Sequence, residues 1–198
     1  MHATALALQG ELLFRQGETE RGLALLRSAV PMMRADRQTI QLARASCALA
    51  EGIAAEGQLS EALAVIGDAI METEAGSESC QFPEQLRLQA GMLLSMPAPD
   101  EVLAEAVIMR ALAEARRQGA LAWELRTAMT LAKLRDKQGR AQEGRETVSA
   151  VHARFTEGFE TRDLKAAAQL LQSEADARQR GANSAGHVPS SARGLPMH

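Results

Sequence analysis

The side chains able to do covalent or metal chemistry are few in this sequence and stand apart from one another. His2, His152, His187 and His198 are scattered, whereas a zinc site needs about four clustered ligands. Cys47 and Cys80 stand alone, without a CxxC or a Cys/His cluster, the usage of a reduced cytosolic protein. No glycine-rich run ends in Lys-Ser or Lys-Thr to wrap a phosphate, and no Gly-x-Ser-x-Gly elbow presents a nucleophile. His152 shares a helical stretch with Phe155 and reads as a packed or surface histidine. No catalytic residue, no metal and no cofactor is therefore expected, and the chain is read as a non-enzyme.

Charge is the remaining chemistry. The formal net charge is −3, and the sequence is polarised. From Glu51 to Glu105 eleven acidic residues stand against one basic residue, Arg87, a balance that repels phosphates. From Arg110 to Arg145 nine basic residues face four acidic ones, with Arg116, Arg117, Lys133, Arg135, Lys137 and Arg140 forming a candidate patch. A charge run of this kind reads first as a solvated helix face. Stacking aromatics for single strands are missing, which argues against nucleic acid.

Helices must position these residues. Aromatics make up 3% of the chain and Tyr is absent, while 46% of residues are hydrophobic. An interior of Ala, Leu, Ile, Val and Met favours helices over strands. Between Leu121 and Phe155 the reading is most direct. Ala128, Leu131, Ala132 and Leu134 form an apolar stripe. Gly139 suits the left-handed residue that ends a helix. Gly144, Val148 and Val151 then line a return helix lying close against the first.

That hairpin recurs. A small residue stands in the first helix of each unit at Gly10, Ala50, Gly91 and Ala132, and another after each turn at Gly22, Ala62, Ala104 and Gly144. Seven residues further on come Ala29, Ala69, Ala111 and Val151. The turns fall at Gly17, Gly57, Met96 to Pro99, and Gly139, with the third read as one residue longer and built on proline. A fixed period of this kind is the mark of stacked repeats, which need no single globular core.

The small residue of the first helix, the glycine turn, the small residue beyond it and the alanine seven further on resemble the tetratricopeptide repeat, although these units are longer than its usual length. A more specific resemblance lies in ARRQGALAWELRTAMTLAKLRDKQGR, FTEGFETRDLKAAAQLL and LRLQAGMLL, spanning about Arg87 to Leu171. These stretches are similar to the C-terminal helical-repeat region of large bacterial proteins described as adenylate or guanylate cyclases, predicted ATPases, and winged-helix or helix-turn-helix regulators. The resemblance implies a regulatory arm following catalytic, DNA-binding and nucleotide-binding domains. Cyclase chemistry would need metal-binding carboxylates on a β-sheet, and this chain offers no sheet.

Read in order, the first helix spans about Thr4 to Gln16, and Thr19 is expected to cap a return helix lined by Leu23, Leu26 and Val30 and ended or kinked by Pro31. The second hairpin uses Ile40 to Glu56, then Ser60 as a cap before Glu61 to Glu72. A loop from Thr73 to Gln81 leads to Pro83 in the first turn of the third hairpin. Pro97, Pro99 and Asp100 open that hairpin's second helix, which stops at Gly119. Gly158 is expected to end the eighth helix, and Thr161 to cap a ninth, Asp163 to about Ala177, that covers the stack. The fold class is thus all-α, a right-handed stack of about four tetratricopeptide-like hairpins plus a C-terminal capping helix over residues 1–178. A disordered tail by composition follows over 179–198.

The first helices of such a stack line a concave surface. Projecting one face through the units selects Glu11, Phe14, Arg44, Glu51, Leu88, Met92, Arg126, Met129 and Lys133 as protein-binding residues. Cys47, Gln85 and Asp136 fall on the same face, and the groove is expected to grade from acidic and apolar to basic. Methionines there suit an irregular partner. The partner is a protein segment or a domain of the same chain. The first hairpin is expected to expose Leu6, Leu13 or Phe14, which a homodimer or a preceding domain would cover. The opening MHATALALQGELLF lacks a basic n-region and a cleavage site, and no apolar run approaches the ~18 residues of a membrane span. A cytoplasmic protein-interaction or regulatory module is the expectation.

Overall fold

The computed structural model describes residues 2–36, 39–76 and 79–172. The tail expected over 179–198 lies outside the described residues. Nine α-helices and no strand occur among them: α1 (His2–Arg15), α2 (Thr19–Ala35), α3 (Thr39–Ala55), α4 (Leu59–Gly76), α5 (Phe82–Ser95), α6 (Glu101–Arg117), α7 (Leu121–Lys137), α8 (Ala141–His152) and α9 (Arg162–Gln172). They pair in sequence as α1/α2, α3/α4, α5/α6 and α7/α8. The all-α stack of four hairpins read from the repeat is what the chain builds.

The stack has two layers. Each first helix touches the next one, α1 to α3, α3 to α5 and α5 to α7, and α9 continues that layer against α7. The backbones of the second helices approach their own partner and the following first helix but not each other; long side chains span that gap, Arg27 of α2 to Glu61 of α4 at 3.3 Å, Arg34 to Glu72, and Arg110 of α6 to Glu74. A layer whose helices meet, backed by one whose helices stand apart, curves toward its own side. The concave face therefore belongs to α1, α3, α5 and α7.

Glycine turns close three hairpins. Gly17, Gly57 and Gly139 have φ of 89°, 80° and 73°, a region that side-chain-bearing residues enter only at a cost. A Cβ on Gly139 would meet nothing within 4 Å, so only the backbone conformation resists substitution there. Gly139→Ala is expected to cost about 1 kcal/mol and Gly139→Asn less, because asparagine tolerates this conformation best after glycine. The shift of the urea midpoint measures both.

The third turn differs by more than the single residue expected. Three residues separate the helices of the other hairpins, but five, Met96 to Asp100, separate α5 from α6. Pro97 and Pro99 drive the backbone into extended geometry, and Met96 leaves α5 at ψ 151°. Asp100 then caps α6, its carboxylate accepting the Leu103 N–H at 2.9 Å. The extra length shifts the register. Ala90, fully buried, is the packed small residue of α5, whereas Gly91 faces open space.

Several helix ends also depart from expectation. Thr19 and Ser60 lie inside the first turns of α2 and α4 and do not cap them; Glu18 is the N-cap of α2 and makes no side-chain cap bond. Pro31 does not end α2: it lies exposed within the helix, which runs on to Ala35. The eighth helix ends at His152, short of Gly158, which takes φ 78° in the link to α9. Pro83 does open α5.

Two hydrophobic clusters fill the space between the layers. Leu23, Leu26, Met33, Ile53, Ile66 and Leu86 are among the buried side chains of the first. Ile108, Leu112, Leu125, Leu134 and Val148 belong to the second, and Leu164 and Ala167 of α9 close its end. At the other end Leu8 and Leu12 of α1 are 51% and 55% exposed. Leu6 packs against the core, Leu13 is half-buried and Phe14 turns into the concave face, so the exposed residues are not the three expected.

Candidate functional site

Four first helices converge on a groove of about 1120 Å³ along the concave face. From α1 come Glu11, Phe14 and Arg15; from α3, Arg44, Cys47, Ala48 and Glu51; from α5, Glu84, Arg87, Leu88, Gly91 and Met92. Trp123 and Arg126 of α7 and Arg162 of α9 close the far end. Of the residues projected from sequence, Glu11, Phe14, Arg44, Glu51, Leu88, Met92 and Arg126 lie in this groove.

Met129 and Lys133 do not line it. Met129 packs half-buried against the second core cluster, and Lys133 is exposed beyond the groove's end. Gln85, on the same projected face, is buried instead between α5 and α4, where its Nε2 donates to the Ala69 carbonyl and Thr73 Oγ1 meets its Oε1 at 3.0 Å. The projection missed Glu84, Arg87 and Trp123. It carried an offset of 41 residues from α3 to α5, which reaches Leu88 and Met92 from Cys47 and Glu51 but passes over Glu84 and Arg87, at 40 from Arg44 and Cys47.

The groove's charges form a ladder that crosses from helix to helix. Arg44 of α3 grips Glu11 of α1 with two bonds, Nε to Oε2 at 2.9 Å and Nη2 to Oε1 at 3.2 Å. Arg15 reaches the same carboxylate at 2.6 Å. Arg87 of α5 stands 3.7 Å from Glu51 of α3 and donates twice to Glu84, at 2.7 and 2.9 Å. Arg126 of α7 closes on Glu84 at 2.8 Å, lies 3.8 Å from Asp163 of α9, and sits 5.2 Å from the Trp123 ring. Every step along the inner layer is tied by an arginine to a carboxylate of another helix.

Burial sets the electrostatics. The Glu51 carboxyl is pushed above its usual range, first by desolvation, against which Arg87 acts, with Glu84 adding to the rise and Arg126 and Arg15 opposing it. The Cys47 thiol is pushed far up by burial and by Glu84 and Glu51, so it is held protonated and unreactive. Arg87 rises despite burial, because Glu84 bonds and attracts it.

No protein-family model and no curated protein matches the chain. A solved structure does. It is described as the crystal structure of BtubC (BKLC) from P. vanneervenii, superposing with a TM-score of 0.67 over 99% of this chain and 87% of that one at 19% identity. At that identity the likeness is one of fold: the stack of helices is shared, and nothing about ligands follows from it.

Outside the groove the basic run from Arg110 to Arg145 is largely neutralised. Arg116 pairs with the buried Glu124 at 2.7 Å, Arg117 with Glu114, Arg140 with Glu143, and the buried Arg135 with Glu105 at 2.5 Å. Arg154 also reaches Glu124 at 2.5 Å. Of the patch read from sequence, the four arginines are taken up in these pairs, while Lys133 and Lys137 are exposed. Among the described residues no group of acidic, cysteine or histidine side chains is arranged to hold a metal ion, and no helix is long and apolar enough to cross a membrane.

Proposed function

We propose that the chain is a protein-interaction module that takes a segment of another protein, or of another domain, in the concave groove. The observation that supports this best is the groove itself, continuous over four helices and wide enough at about 1120 Å³ for an extended or helical segment. Its floor is apolar, with Leu88 and Met92 beside Phe14 and Ala48, and its walls are charged. Apolar anchors flanked by charged groups suit an amphipathic segment lying along the helices.

Gly91 supplies the test. It lines the groove and a Cβ there meets nothing within 4 Å, so Gly91→Trp starts its side chain in open groove space and is expected to fill the groove with an indole. Peptides selected from a random displayed library on the full chain are expected to bind Gly91→Trp about tenfold more weakly, with helicity unchanged by circular dichroism. Peptides that bind the variant equally well, or a selection that enriches none, would remove the groove assignment.

A second reading concerns the other end of the stack. By the offset from Gly10 to Ala50, Leu8 and Leu12 of α1 occupy the positions of Ala48 and Gly52 in α3. Those two are buried, and Leu23 of α2 lies over Gly52. The α1 face is thus of the kind that a preceding helix covers, which favours a second copy or a cis domain of a signalling ATPase, cyclase or transcription regulator docking there. Leu8→Glu with Leu12→Glu is expected to leave a monomer. Sedimentation of the isolated chain as a monomer before the change would remove the second copy.

A further inference from the structure

The groove's charges are layered rather than mixed. Its lining holds three carboxylates, Glu11, Glu51 and Glu84, and five guanidinium groups, Arg15, Arg44, Arg87, Arg126 and Arg162, a surplus of two positive charges in a chain whose net charge is −3. The carboxylates lie underneath. The side chains of Glu11 and Glu84 are 8% and 5% exposed, while those of Arg15 and Arg44 are 68% and 56% exposed. A ligand entering the groove meets the arginines.

Position along the groove adds a pattern. Arg15 and Arg44 stand at the α1 and α3 end, and Arg126 and Arg162 at the α7 and α9 end. Arg87 between them is largely covered and held by Glu84 and Glu51. The middle of the floor is Ala48, Leu88, Gly91 and Met92, which offer no charge. Arginine binds carboxylates through a fixed fork of donors and is less strongly hydrated than lysine, so anions are recognised at the two ends and apolar side chains between them. Arg162 has no ion-pair partner among the described residues, whereas Arg126 is held by Glu84 at 2.8 Å through one amino group and lies 3.8 Å from Asp163. That end has donor capacity to spare.

From this layering we propose that the segment bound in the groove is acidic at both ends and apolar at its centre. The inference rests on the groove being the binding surface and goes beyond it by fixing the chemistry of the occupant. Glu51 fits the same picture: it is the one groove carboxylate with substantial exposure, and it is the one whose negative charge its surroundings disfavour. The buried acids are already committed to arginines, so they hold the guanidinium forks in place without presenting repulsion to an arriving anion.

The probe is a fluorescein-labelled peptide with glutamates at both ends of a Leu-Met-Leu centre, compared by anisotropy with the same peptide carrying glutamines and with one carrying lysines. The full chain is expected to prefer the glutamate peptide by about tenfold over the glutamine peptide and to leave the lysine peptide unbound. Arg162→Glu combined with Arg15→Gln is expected to abolish that preference. Both side chains are exposed, and an acidic residue in the first turn of α9 suits the helix, so circular dichroism should be unchanged. Equal binding of glutamate and glutamine peptides, both lost in Gly91→Trp, would overturn the acidic assignment and leave the groove reading standing. Failure of all three peptides to bind would overturn both. Oligothymidylate bound as tightly as the glutamate peptide, and lost in the same arginine variant, would mean that the site reads polyanion charge and would overturn the peptide assignment.

Discussion

Gly22→Val is expected to lower the unfolding free energy by about 3 kcal/mol, at the upper end of what overpacking costs, and to open the first hairpin before the rest of the stack. A Cβ at position 22 would fall 2.7 Å from both the Gly10 carbonyl oxygen and the Phe14 nitrogen. These are backbone atoms that no rotamer change can move, so α1 and α2 would have to separate. Leu26 and Leu25 close over Gly10 from the same side, at 3.0 and 3.1 Å from a Cβ built there, which leaves no slack to absorb the shift. Gly67→Ala is the control of opposite sign. Gly67 lies inside α4, where a Cβ meets nothing within 4 Å, so the substitution adds helix propensity and should raise stability by about 1 kcal/mol. Urea titrations of the two variants measure both signs, and a neutral Gly22→Val would show that the α1/α2 crossing is loose.

This close crossing is also where the sequence was most informative. Gly10 with Gly22 and Ala132 with Gly144 are the small pairs read from the repeat, and the backbones do meet there: a Cβ built on Gly144 would fall 2.7 Å from the Ala132 Cα. A period of small residues and positive-φ glycines reports backbone geometry directly, since only those residues satisfy it. The reading failed at the third hairpin because Pro97 and Pro99 form a link whose length is set by extended backbone, which leaves no spacing to count. Choosing Gly91 over Ala90 as the packed residue rotated the α5 face by one position. That single step exchanged Glu84 and Arg87 for Gln85.

Charge pairing across helices was less legible. Glu11, Arg44, Glu51 and Arg126 were selected as free contacts for a partner, yet each is tied within the fold. The partners are distant in sequence, and only the stacked geometry brings Glu84 of α5 against Arg126 of α7. One signal was present. Arg87 is the lone basic residue between Glu51 and Glu105, and an isolated cation in an acidic stretch is a candidate for burial among carboxylates. It is the residue that joins Glu51 to Glu84.

Glu84 is where the ladder's contribution to the fold can be separated from its contribution to binding. Glu84→Gln removes the charge and keeps the shape: the amide retains one acceptor oxygen, so Arg87 keeps at most one of its two short bonds, and Arg87 and Arg126 are left with only Glu51 and Asp163 as carboxylates, at 3.7 and 3.8 Å. Removing one member of a buried pair strands the other, and a loss of about 3 kcal/mol is expected, read from urea unfolding. Glu51 at 3.7 Å offers Arg87 partial relief, which keeps the loss at the lower end of the range for such pairs. Replacing Glu84, Arg87 and Arg126 together by methionine removes the guanidinium groups that Glu84→Gln strands and leaves the partly exposed Glu51 without its arginine, so much of the stability is expected to return because apolar packing substitutes well for a buried ion network. The triple variant should nevertheless bind the glutamate peptide more weakly, since Arg126 is gone from the α7 and α9 end and Arg162 alone remains there. Stability that returns while binding does not would show that these arginines are dispensable for folding and required for recognition. A Glu84→Gln protein of unchanged stability would show instead that solvent already screens the ladder and that packing alone holds the inner layer.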